Sequence, residues 1–167
     1  MTGHAALAVA LLACAPVLAL AQAVADPCFA AAARVRPNAT APTAADMRSF
    51  LRSFSDARCT ANTEYAEAGN EWLFDALEAR PALFFGALFA LSAPEQAAVR
   101  AQVEAPVHDC INVSRRVEAV RTSAAMPEDL RRRGLEFLER AYRGEQDTIR
   151  AWEAQNRRAW DWKDCAR

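Results

Sequence analysis

Pro81-Ala82-Leu83-Phe84-Phe85-Gly86-Ala87-Leu88-Phe89-Ala90-Leu91 contains no polar side chain. Proline suits the first helical position, where its missing N–H costs nothing. Wound as a helix, Leu83, Phe84, Phe85, Leu88, Phe89 and Leu91 leave no polar face, so this segment has to be buried all round. It needs a shell of other elements, and the flanking sequence supplies helices. Upstream, 62–80 carries Tyr65, Trp72, Leu73, Ala76 and Leu77 on one side. Before it, Thr43 caps a helix with Asp46 three residues on, and Met47, Phe50, Leu51 and Phe54 fall at i, i+3, i+4 and i+7; that helix ends near Cys59. Asp26-Pro27 opens a first helix that stops before Pro37, and 37–42 is a linker.

Downstream, Ser92 with Glu95 forms a capping box that starts a helix reaching Ala105. Pro106 begins another, with Val107, Cys110, Ile111, Val117 and Val120 as its apolar positions. Met126-Pro127 starts the next, carrying Leu130, Phe137, Leu138 and Ala141. Gly144 is expected to break or bend it before a final helix that holds Ile149, Trp152 and Trp160. No stretch alternates apolar and polar residues as a half-buried strand does. The expected fold is all-α: a compact bundle of about six to eight helices around 81–91.

The chain has 167 residues, 53% hydrophobic, with a formal charge of −1. That excludes a disordered tail and a nucleic-acid binder driven by overall charge. Its first charged side chain is Asp26. Residues 1–23 therefore read as a secretory signal peptide: an apolar run from Ala5 to Leu20, then small-x-small sites ending at Ala21, Ala23 and Ala25. An uncleaved anchor, or lipidation at Cys14 after Leu11-Leu12-Ala13, are the alternatives, and the leader is the only membrane contact expected. Residues 24–42 then form a short N-terminal helix and linker, and 43–167 the helical domain. Of the 20 basic residues only Lys163 is lysine, the usage of a GC-rich bacterial genome, so the expected location is periplasmic or secreted. In an oxidising compartment, Cys28, Cys59, Cys110 and Cys165 read as two disulfides. An antiparallel hairpin brings Cys28 to Cys59, leaving Cys110 to Cys165.

No catalytic motif emerges. His108, the sole histidine after the leader, reads as a capping or core-edge residue at a helix start. There is no nucleophile elbow, no C-x-x-C and no metal-ligand spacing, so neither catalytic residue, cofactor nor metal is assigned. Two surfaces stand out instead. Glu64, Glu67, Glu71, Asp75 and Glu78 recur at intervals of three and four along one helix face, with no Lys or Arg between them. They read as a solvated face, as a docking strip for a basic partner, or as internal partners for the more basic C-terminal half. The tail holds three of the four tryptophans; as a continuous helix it would place Trp160 and Trp162 on either side of Trp152, with at least one partly exposed. Arg131-Arg132-Arg133 points in three directions and reads as a solvated face.

Leu138-Glu139-Arg140-Ala141-Tyr142, then Ala154-Gln155, Trp160 and Cys165, is similar in order to the end of envelope lysozyme-inhibitor domains. Glu139 stands where that pattern has Asn and the later spacings differ, so the family itself is not assigned. The expected function is binding of another envelope protein, as an inhibitor, immunity protein or chaperone, through Glu64, Glu67, Glu71, Asp75, Glu78, Trp160 and Trp162. The alternative is a small envelope hydrolase that uses carboxylates.

Overall fold

The computed structural model describes residues 26–108 and 110–163, and is helical with no strand among them. Eight helices follow in order: α1 (Pro27–Ala33), α2 (Ala44–Ser53), α3 (Ala57–Thr60), α4 (Thr63–Ala79), α5 (Pro81–Leu88), α6 (Ala93–Glu104), α7 (Val113–Thr122) and α8 (Glu128–Asn156). The apolar segment is central. α5 packs against α2, α4, α7 and α8, and Phe84, Phe85 and Leu88 are fully buried. Its burial is not complete, because Gly86 and Ala90 reach solvent on one narrow side.

Local chemistry sets most helix starts. The Asp26 carboxylate accepts from the Cys28 N–H at 2.8 Å and from Asn62 Nδ2 at 3.2 Å, while Asn62 itself caps α4 by accepting from the Tyr65 N–H. One carboxylate thus ties the first turns of α1 and α4 together. Thr43 with Asp46 and Ser92 with Glu95 form the two expected capping boxes. Glu95 also accepts from Arg52 Nε at 3.1 Å, which couples α2 to α6.

The expected Cys28–Cys59 disulfide is present, but it joins α1 to α3: the second helix ends at Ser53 and Cys59 lies on a short helix of its own, started by the Asp56 cap. Cys110 is disulfide-bonded as well; the expected pairing with Cys165 lies outside the described residues, as does the leader. α1 and its linker belong to the common core: Ala32 and Val35 are fully buried. The Arg80 guanidinium donates to the carbonyls of Val35, Arg36, Pro37 and Ala39 at 3.2–3.5 Å. A linker whose backbone acceptors converge on one cation is held in place without secondary structure of its own.

Three expectations about the C-terminal half are corrected. Pro106 does not open a helix. Residues 106–108 and 110–112 are irregular: buried Asn70 takes the Val107 N–H at 3.2 Å, and Asn112 caps α7 from the Arg115 N–H at 2.7 Å. Gly144 does not break α8, which runs unbroken to Asn156. A glycine costs about 1 kcal/mol within a helix, too little to interrupt a long apolar face pinned by Phe137, Leu138 and Ala141. The chain turns instead at Arg157, which is left-handed at φ 54°. Trp160 and Trp162 therefore lie beyond the helix, not on it.

At Gly134, α8 passes close against α5. A Cβ built there would sit 3.1 Å from the Phe85 ring and from Met126 Cε. Phe85 cannot retreat, since Phe84, Phe89 and Phe137 surround it. Gly134→Ala is expected to destabilise by about 1 kcal/mol net, overpacking outweighing the gain in helix propensity. Gly86→Ala, with nothing within 4 Å of the new methyl, is expected to stabilise by about 0.5–1 kcal/mol. Urea denaturation of the two variants checks both signs.

Candidate functional site

The acidic face of α4 divides into two halves with different electrostatics. At its C-terminal end α7 supplies the counter-charges. Arg115 pairs with Glu78 at 2.5 Å; Arg116 pairs with Glu78 at 3.2 Å and with Asp75 at 3.6 Å. The Arg116 side chain is only 13% exposed. It also donates to the Asn112 carbonyl at 3.1 Å and lies over the Phe74 ring. Burial raises the Asp75 pKa against the pull of Arg116, and burial lowers that of Arg116 against Glu78 and Asp75. Desolvation is thus the largest influence on both partners, and this pairing joins helices without being a strong source of stability. The internal reading of the stripe holds for Asp75 and Glu78.

The N-terminal half is different. Glu64 and Glu67 are exposed and make no ion pair or hydrogen bond among the described residues, and Glu71 is exposed with His108 as its only polar partner there, at 3.1 Å. Beside them Val107, 41% exposed, is the large apolar side chain that stands out into solvent among the described residues. Glu67, Glu71, Val107 and His108 line one shallow depression.

His108 is also on the wall of a smaller, more enclosed cleft of about 190 Å³, between the end of α6, residues Pro106, His108 and Ile111, the middle of α8 and the tail. Glu104, Glu145, Ile111, Trp160 and Trp162 line it with His108, and no Arg or Lys does. Its aromatic wall depends on the turn at Arg157. The returning chain sets Trp160 edge-on to Trp152 at 5.0 Å and to Trp162 at 5.5 Å, and the Trp160 backbone N–H donates to Glu153 Oε1 at 2.9 Å. Arg158 lies over the Trp152 ring at 4.7 Å. Both Trp160 and Trp162 are half-buried.

Two residues on its wall each carry a fully buried side-chain atom with no hydrogen-bond partner among the described residues: Trp160 Nε1, a donor, and Glu104 Oε1, an acceptor. The other Glu104 oxygen faces Arg140 at 3.3 Å. Glu145 is spent differently. It reaches from α8 to the start of α7 and accepts from the Val113 N–H at 2.5 Å and the Ser114 N–H at 2.9 Å, with the Ser114 hydroxyl as a further donor. It caps α7 across the helix pair, and both of its oxygens are occupied.

The two surfaces marked out in the sequence are therefore neighbours, joined by a residue set aside there. Glu64, Glu67 and Glu71 lead to His108, and His108 leads into the cleft walled by Trp160 and Trp162. Asp75 and Glu78 do not take part. Glu104, Val107 and Ile111 were missed, because 106–112 reads as helix and its exposed valine as core. The one signal available was His108-Asp109 among apolar neighbours just after Pro106. No family model, characterised protein or solved structure matches the chain.

Proposed function

We propose that this chain is a small exported helical protein that acts by binding a basic protein partner of the cell envelope, as an inhibitor, immunity protein or chaperone does. The observation that carries this reading is the uneven compensation of α4. Arginines of the same chain reach Asp75 and Glu78, but leave Glu64 and Glu67 unpaired and exposed beside Val107. Exposed like charges at helical spacing cost a few tenths of a kcal/mol per pair, and a cationic partner removes that cost. Complementary charge steers association and fixes partner choice. The buried Cys28–Cys59 disulfide supports an oxidising compartment, and the leader read in 1–23 supports export to it. No described helix is long and apolar enough to cross a membrane.

The hydrolase alternative draws on two carboxylates in one cleft. It is the weaker reading because Glu145 has both oxygens engaged by the start of α7, and a general acid or base needs a free one.

Affinity capture from envelope extract, with wild type beside Glu64→Lys/Glu67→Lys/Glu71→Lys, tests the reading. A basic partner is expected on wild type and absent from the triple variant. Glu136→Lys/Glu139→Lys, which alters charge elsewhere on α8, should retain it. The same partners on wild type and on the triple variant would overturn the proposal.

A further inference from the structure

We infer that the cleft beside His108 seats a single apolar side chain of the partner, which is thereby recognised by an apolar residue next to a basic run. This rests on the basic-partner reading and specifies the segment that is held. A volume of about 190 Å³ has room for on the order of six waters. That suits one large side chain and excludes a folded element.

The lining selects the occupant. Buried Ile111, Val113 and Ala141 and half-buried Ile149 give the cleft apolar walls. Its carboxylate, imidazole and hydroxyl groups each already have a partner within the chain. Glu104 faces Arg140 at 3.3 Å, His108 faces Glu71 at 3.1 Å, and the Thr148 hydroxyl donates to the Gly144 carbonyl at 3.0 Å. Glu145 holds the start of α7. A charged occupant would be desolvated there with little in return, whereas an apolar one displaces water from apolar walls.

Gly144 is an independent sign that this space is kept open. It lies within α8 without a positive φ, and a Cβ built on it would meet nothing within 4 Å. Neither conformation nor packing requires glycine there, and glycine weakens a helix. Its missing side chain leaves the cleft unfilled. The approach sets the rest of the partner's chemistry. Exposed Glu64 and Glu67, without an ion pair among the described residues, lead past Glu71 and Val107 to His108 at the cleft. A run of Lys or Arg lying on that face brings the adjoining residue to the cleft.

The test is titration of the oxidised protein with acetyl-Lys-Lys-Lys-Leu-amide, with acetyl-Lys-Lys-Lys-Asn-amide, in which a polar side chain of similar shape replaces leucine, and with chitotriose. Binding is read from the methyl resonances of Ile111 and Ile149. The leucine peptide is expected to shift both saturably, with a Kd of about 1 mM or tighter. The asparagine peptide should bind about tenfold more weakly. Gly144→Leu, which fills the cleft from α8, should abolish the preference for leucine over asparagine while leaving the thermal transition in place.

Equal binding of the two peptides to wild type, unmoved Ile111 and Ile149 methyls, or a leucine preference that survives in Gly144→Leu would overturn the inference. So would chitotriose moving those resonances in place of the leucine peptide, since that result marks a saccharide cleft. The two proposals fail separately. If the methyls stay still while charge reversal at Glu64, Glu67 and Glu71 still abolishes partner capture, the cleft is lost and the acidic face stands. If the leucine preference holds while the triple variant keeps its partners, the face is lost instead.

Discussion

Truncation of Phe85 to alanine is expected to lower stability by about 4 kcal/mol, the largest effect of any single substitution considered. Phe85 is fully buried, edge-on to Phe84 at 5.2 Å and to Phe137 at 6.0 Å, and stacked on Phe89 at 5.7 Å. The cost exceeds the transfer term alone because the cavity cannot close. On its far side α8 passes so close at Gly134 that a Cβ there would sit 3.1 Å from the ring, and α8 is held by the buried Phe137, Leu138 and Ala141. Neighbouring Leu83 is only half-buried, so Leu83→Ala should cost about 1 kcal/mol or less. Chemical denaturation at unchanged m-value reads both. A loss below about 2 kcal/mol for Phe85→Ala would mean that α5 is not the centre around which the bundle is built.

Removing the Cys28–Cys59 link is expected to cost about 3–4 kcal/mol, the chain-entropy value for a separation of 31 residues. Cys28→Ala/Cys59→Ala tests this without leaving a free thiol. The loss should be local before it is global. α1 is short and packs against α2 and α4, so without the bridge it should detach first and open the 34–42 linker to protease. The Arg80 clamp on that linker is expected to delay cleavage without preventing it. A variant that unfolds at the wild-type denaturant midpoint would contradict this, and would show that the packing of Ala32 and Val35 alone holds α1.

What could be read from the sequence was whatever is encoded locally. Thr43 with Asp46, Ser92 with Glu95, Asp26-Pro27 and Pro81 mark helix starts because a cap needs only residues within one turn. The helical periodicity of Met47, Phe50, Leu51 and Phe54 places α2 for the same reason. The errors sit where a distant group decides. Asn70, far away in the chain, takes the Val107 N–H and keeps a helix from starting at Pro106. Glu145 caps α7 from another helix. Gly144 looks like a breaker until the length of the face it interrupts is weighed against about 1 kcal/mol.

The site was half-legible for related reasons. The spacing of Glu64, Glu67 and Glu71 is visible in one dimension. That Arg115 and Arg116 neutralise only Asp75 and Glu78 depends on how α7 crosses α4. Trp160 and Trp162 stand out in the sequence, yet a helical wheel could not place them, since the left-handed turn at Arg157 folds them back. Their meeting with the acidic face at His108 is a tertiary fact.

Recognition through the acidic face is tested most directly by calorimetric titration of the captured partner into wild type and into Glu64→Lys/Glu67→Lys/Glu71→Lys, side by side at one ionic strength. Affinity is expected to fall at least about tenfold in the triple variant, or 1.4 kcal/mol, with the thermal transition unchanged. Equal affinity for the two proteins would contradict it.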